Sequence, residues 1–257
     1  MKTAAILSGV ALACAPFAAQ AEEPIKITYT DFCPYMCTQD ADRGFTVELT
    51  EEALANQGVA VEFVARPWKR ALGDTRSGST DGTLAAARAE APDFIFPEAP
   101  VSKQQFCFIT RADSDWTYGG VETLDGVTIG TMSGLSFPGI EEYMAENEGT
   151  NAVQVVNSDD SIQLNMKKLK AGRIDSVLMD PVATFYSLGD LGMEVAEFRT
   201  AGCLASEPIY LVFSPADEAA SARLAAAYTA GVHALAESGR MDEILKKYNA
   251  MDGAPDL

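Results

Sequence analysis

Strand-like and helix-like segments alternate along almost the whole chain, and this alternation limits the possible folds more than any other feature of the sequence. Residues 25–30 (Ile-Lys-Ile-Thr-Tyr-Thr) read as a strand. Residues 45–56 carry apolar side chains at helical spacing and stop at Gly58, a residue suited to the left-handed turn that ends a helix. Residues 59–64 predict a second strand. Pro67 opens a helix, where its missing N–H costs nothing, and Gly78 closes it. Residues 83–87 and 106–109 follow as strands. A second series begins after Asp113, with strands at 127–130, 153–156 and 174–178, and an expected further strand at 195–198. Helices are predicted at 138–146, through Leu169 and Lys170 after the N-cap candidates Asn157 to Asp160, and at 181–188. Residues 209–213 form one more apolar run, and 218–236 and 241–248 are helical.

Repeated β-α-β order requires parallel strands covered by helices on both faces. Two such series, the first resumed by the final strand and helices, predict an α/β protein of two doubly wound lobes. The chain then crosses twice, near Arg111 and near Cys203, forming a two-stranded hinge. The first lobe comprises residues 22–111 and 202–257, and the second residues 112–201.

The first 21 residues stand apart. Lys2 precedes an apolar run at residues 4–17, and Ala19-Gln20-Ala21 follows. A positive end, a short apolar middle and an A-x-A site describe a secretory signal peptide. The run is shorter than the roughly 20 apolar residues of a membrane span. Cleavage is expected after Ala21, so the protein is expected to be exported from the cytoplasm. The alternative is a lipoprotein leader acylated at Cys14, although Ala11 stands where a larger aliphatic residue is usual.

Hydrophobic content of 47% supports packed cores and argues against disorder. Asp and Glu number 37 against 19 Lys and Arg, for a formal charge of -18. No basic run exists to neutralise phosphates, so nucleic acid is excluded as a partner. Beyond the leader lie Cys33, Cys37, Cys107 and Cys203. An even count in an exported chain reads as disulfides, with three pairings possible. The short spacing favours Cys33 with Cys37, leaving Cys107 with Cys203. A metal site lacks support, since C-x-x-x-C is not usual zinc spacing and the one histidine, His233, is remote.

In doubly wound folds ligands bind beyond the carboxyl ends of the strands. The residues at those positions are Asp31 and Tyr35, Trp68 and Arg70, Thr83 and Arg88, Ser133 and Ser136, and Asp180. Together they supply guanidinium, carboxylate, hydroxyls and an aromatic plane from both lobes. This set suits an α-amino acid, with Arg on the carboxylate and Asp on the ammonium. Each residue also has a purely structural reading. Arg88 could be a solvated surface charge and Trp68 a core residue. Asp180 before Pro181 is an N-cap arrangement. Ser133 and Ser136 could be turn residues, and Asp31 and Tyr35 loop residues set by a Cys33–Cys37 bridge.

The residues resemble the periplasmic amino-acid-binding proteins of ABC transporters, solute-binding protein family 3. Gly44-Phe45-Thr46-Val47-Glu48-Leu49 is similar to the family's G-F-x-x-[DE]-L helix start. Pro67-Trp68-Lys69-Arg70-Ala71-Leu72 and Ser77-Gly78-Ser79-Thr80-Asp81 resemble its W-x-x-x-L…G-x-x-D segment, and Arg88 with Asp93-Phe94 its R-x-x-x-x-[DF]-F pattern. Leu124-Asp125-Gly126 through Gly134, Leu169 through Asp175 with Asp180, and Gly239 through Tyr248 resemble later motifs. Departing from the pattern, Asp81-Gly82 runs straight into Thr83, and Ala87 stands where Glu is usual.

The resemblance implies a type II periplasmic binding protein, or Venus flytrap, that closes on a small polar solute, an amino acid above all. It would deliver that solute to an ABC permease of the inner membrane, as a monomer and without cofactor, metal or catalytic activity. Arg88 would then hold the carboxylate, Thr83 its second oxygen, Ser136 a further bond and Asp180 the ammonium, with Trp68 as a stacking wall. Two alternatives remain at this point. One is a periplasmic enzyme on the same fold, resembling cyclohexadienyl dehydratase, with Asp31 or Asp180 as acid or base. The other is a ligand-sensing subunit for a membrane kinase.

Overall fold

The computed structural model describes residues 23–38, 41–158, 160–248 and 250–257. The expected leader, its cleavage site and Cys14 lie outside the described residues. In chain order the elements are β1 (Ile25–Tyr29), α1 (Phe45–Ala55), β2 (Val61–Ala65), α2 (Trp68–Arg76), β3 (Gly82–Ala86), β4 (Ser102–Gln104) and β5 (Cys107–Arg111). Then follow β6 (Ile129–Met132), α3 (Glu141–Asn147), β7 (Val153–Val156), α4 (Ser161–Lys170), β8 (Ser176–Met179), α5 (Pro181–Leu191) and β9 (Phe198–Cys203). The chain finishes with β10 (Glu207–Phe213), α6 (Glu218–Glu237) and α7 (Arg240–Lys247). Among the described residues no helix is long and apolar enough to cross a membrane.

Two five-stranded sheets make two lobes, ordered β2-β1-β3-β10-β4 and β7-β6-β8-β5-β9. Each has a parallel three-stranded half, with β1 between β2 and β3 and β6 between β7 and β8. In each sheet one strand, β10 or β5, runs antiparallel to both of its neighbours. The parallel halves are β-α-β units, so every strand of theirs ends toward the other lobe's crevice side, where ligands bind in this topology.

The lobe boundary differs from the sequence expectation. Residues 107–111 were expected in the first lobe, but β5 pairs with β8 and β9 of the second sheet. The chain therefore crosses at residues 105–106, not at Arg111. The cause is β4, a three-residue strand too short to leave a periodic signal, which completes the first sheet against β10. The return crossing lies at residues 204–206. The expected strand at 195–198 is a 3₁₀ turn, Val195–Glu197, leading into β9.

The two crossings run side by side as a paired ribbon. Gln104 lies opposite Glu207, and Cys107 opposite Cys203. The Leu204 N–H donates to Phe106 O at 2.8 Å. A Cys107–Cys203 disulfide joins the ribbon covalently, and a Cys33–Cys37 disulfide closes the loop after β1. Helix α6 packs on α1 at a distance that only glycine permits, because a Cβ on Gly231 would lie 2.0 Å from Ala53 O.

Candidate functional site

The strand ends of both sheets meet in one crevice. A cavity of about 200 Å³ is lined from the first lobe by Thr30, Asp31, Pro67, Trp68 and Lys69, and from the second by Met132, Ser133, Asn157 and Ser158. An adjoining cavity of about 270 Å³ shares Asp31 and Pro67 and adds Thr38, Arg66, Asp160 and Gln163. A third, of about 310 Å³, lies under the loop after β6, with Ser136, Glu141 and Ala89 on its wall. Among the described residues no three His, Cys, Asp or Glu side chains converge in a way that could hold a metal ion.

Three side chains bridge the lobes. Trp68, at the start of α2 and 7% exposed, donates its Nε1–H to Gly134 O at 3.2 Å. Tyr35, 3% exposed, donates its hydroxyl to Asp180 Oδ2 at 3.2 Å. Glu90 accepts the Ser136 N–H on Oε1 at 3.3 Å and the Ala87 N–H on Oε2 at 2.9 Å. Burial pushes the Glu90 carboxyl from 4.5 up to about 8, and the charge of Glu207 adds to the rise, while the two N–H donors oppose it. Burial also raises Glu207, with Glu141 contributing. Asp180 is raised by burial as well, opposed by its hydrogen-bond donors.

Asp31 accepts from the Thr38 N–H at 2.8 Å and the Thr38 hydroxyl at 2.9 Å, and lines both interlobe cavities. The Ser133 hydroxyl donates to Asn157 Oδ1 at 2.9 Å on the cavity wall. The Ser136 hydroxyl is buried without a partner. Asp180 caps α5, accepting the Ala183 N–H at 3.0 Å.

Three expected residues are placed elsewhere. Thr83 is wholly buried within its sheet, and its hydroxyl donates to Thr28 O at 3.3 Å, so it faces a neighbouring strand and not the crevice. Arg70 is on the exposed face of α2, two residues past the Trp68 that turns inward. Arg88 is exposed, with its guanidinium 4.5 Å from the Phe96 ring centroid and 4.8 Å from that of Tyr210. The acidic partner at this edge of the crevice is Glu90, two residues beyond Arg88.

Glu90, Lys69, Asn157, Ser158 and the Gly134 carbonyl escaped the sequence reading. Asn157 and Ser158 follow β7 directly, so the strand-end rule points to them. Their value as helix caps hid this, yet the cap position of α4 is Asp160 and no side chain bonds there.

The family model of bacterial extracellular solute-binding proteins, family 3, matches residues 25–251. The chain belongs to that family. No curated protein matches it. Among solved structures, this family 3 protein resembles a histidine kinase sensor domain with similarity to periplasmic binding proteins. The identity is 20%, the TM-score 0.74, and 89% of this chain and 96% of that one are covered. It also resembles a substrate-binding protein of an ABC uptake transporter from Streptococcus pneumoniae with bound histidine, at 20% identity, TM-score 0.71, and 90% and 94% coverage. An ancestral arginine-binding protein bound to arginine gives 19% identity, TM-score 0.68, and 89% and 99% coverage. At these identities the likeness is one of fold, the two-lobed periplasmic-binding-protein architecture.

Proposed function

We propose that this family 3 protein captures a small polar solute of amino-acid size in the interlobe crevice and delivers it to an ABC permease. It would do so in the periplasm, as a monomer with its leader removed, and without catalysing a reaction. The supporting observation is a crevice whose walls come from both lobes, beside side chains that already bridge them, such as Trp68 to Gly134. A solute touching both walls binds the closed arrangement better than an open one, and closure follows from that difference. A thermal-shift screen of amino acids, organic acids and amines tests the reading. A true solute at 100 times its Kd raises stability by about 2.7 kcal/mol. Small-angle scattering should report lobe closure with the same compound. No hit, or steady turnover of prephenate or arogenate, would sink it.

A second reading, presentation of the solute to a membrane kinase, draws on the likeness to a structure described as a histidine kinase sensor domain. Neighbouring genes separate the two: a permease and ATPase favour uptake, a kinase favours sensing.

A further inference from the structure

Helix α3 is short. It has seven residues and buries one of them, Met144, against the second sheet. Val153 and Val155 lie on the same face of β7, since alternate residues of a strand share a face. Met144 packs with Val153 and Phe137, and the partly buried Leu135 and Val155 join the edge of that cluster. So brief a helix leaves part of the face uncovered. The cavity of about 310 Å³ under the loop after β6 is the space that remains.

Its chemistry differs from that of the crevice beside it. The floor is the apolar set just named. Of the hydroxyls on its wall, that of Thr131 donates to Leu178 O at 3.0 Å and that of Ser133 to Asn157 Oδ1 at 2.9 Å. The Ser136 oxygen is buried and has no hydrogen-bond partner. Two carboxylates complete the wall, Glu141 and Glu148 of α3, both exposed. One oxygen of Glu141 accepts the Gly139 N–H at 2.9 Å, and neither carboxylate is in an ion pair among the described residues. No Lys, Arg or His lines the cavity, whereas Lys69 and Asp31 give the crevice both signs of charge.

We propose that this cavity is a second binding site, apart from the crevice between Trp68 and Ser133, and that it takes a small amine with an aryl or alkyl body and no carboxylate. The apolar floor takes the body. An ammonium group has three donors and no acceptor, which matches the two carboxylates and the unpartnered Ser136 oxygen. A carboxylate on the ligand would instead add a like charge beside Glu141 and Glu148, with no cation on the wall to offset it. The site is independent of the solute that the crevice captures.

Calorimetric titration of the whole protein with 2-phenylethylamine and hexylamine is the test. The controls are the same bodies carrying a carboxylate, 3-phenylpropionate and heptanoate, and neutral 2-phenylethanol. At least one amine should bind one to one and at least tenfold more tightly than its carboxylate counterpart. Ala145 lines the cavity from the exposed side of α3. Ala145→Trp fills the space and should weaken that amine at least tenfold. Glu141→Gln and Glu148→Gln together should also weaken it at least tenfold, to the level of 2-phenylethanol. No binding of either amine, equal or tighter binding of the carboxylates, or unchanged affinity in either variant overturns the proposal. Should Ala145→Trp not melt cooperatively, the paired Gln variant, altered only at exposed side chains, decides. A solute that closes the lobes while neither amine binds would leave the capture reading intact and this proposal refuted.

Discussion

Glu90 makes the stability of this protein depend on pH with a sign opposite to that of ordinary carboxylates. In the unfolded chain its pKa is near 4.5, whereas burial between the lobes takes it to about 8. The folded state therefore binds the proton more tightly. Its contribution to stability is fully present below about 4.5 and is lost as the pH rises through about 8. At about 1.4 kcal/mol per pKa unit, the loss between pH 5 and pH 8 is about 3 to 4 kcal/mol. Total stabilities of about 5–15 kcal/mol make that readily measurable. Asp180 and Glu207 are raised in the same direction, so the wild-type profile is a composite. Glu90→Gln isolates the one group, because its amide oxygen still accepts an N–H and does not titrate. Urea unfolding of both proteins from pH 5 to pH 8 should show the wild type losing about 3 to 4 kcal/mol more than Glu90→Gln. Parallel profiles, differing by less than about 0.5 kcal/mol over the range, would refute the burial of this carboxyl between the lobes.

Two further outcomes concern the frame. The hinge disulfide closes a loop with a sequence separation of 96, the small one a separation of 4. Loop-closure entropy gives about 4.7 kcal/mol for the first and about 2 kcal/mol for the second. Paired Cys→Ser variants compared by urea midpoint should keep that order, and a greater loss from the Cys33–Cys37 pair contradicts it. Gly231→Ala forces α1 and α6 apart at Ala53 and should cost at least about 1–3 kcal/mol in the same assay. A neutral result contradicts the close packing.

How much was legible in the sequence follows from what each signal depends on. Strand and helix order depends on local periodicity, so the parallel halves of both sheets could be read from residues 25–86 and 127–179. Asp180 before Pro181 carried its own capping chemistry and occupies the cap it predicts. The cysteine spacing led to the pairings observed. The short strand β4 and the exact place of the first crossing depend on pairing with β10, a partner more than 100 residues away, and no local pattern encodes that. The bond between Tyr35 and Asp180 spans 145 residues and two lobes, so each residue could be suspected but not joined.

Arg88 and Glu90 follow an irregular end of β3. Val212 pairs with Thr83 and Tyr210 with Ala86, so three steps along β3 match two along β10. One extra residue is therefore inserted into β3, and Ala85 takes φ 66, the left-handed region. A bulge of this kind bends the strand and ends its regular alternation just before β3 stops at Ala86. In the turn beyond the strand Arg88 lies on Phe96 and Tyr210, and Glu90 accepts the Ser136 N–H. A glycine would have marked the left-handed position, because glycine adopts it without steric cost. Here the run Ala85-Ala86-Ala87 gives no sign of which residue turns. The guanidinium of Arg88 is thus absent from this edge, and the carboxyl that stands there instead, Glu90, is held up to about 8 by burial.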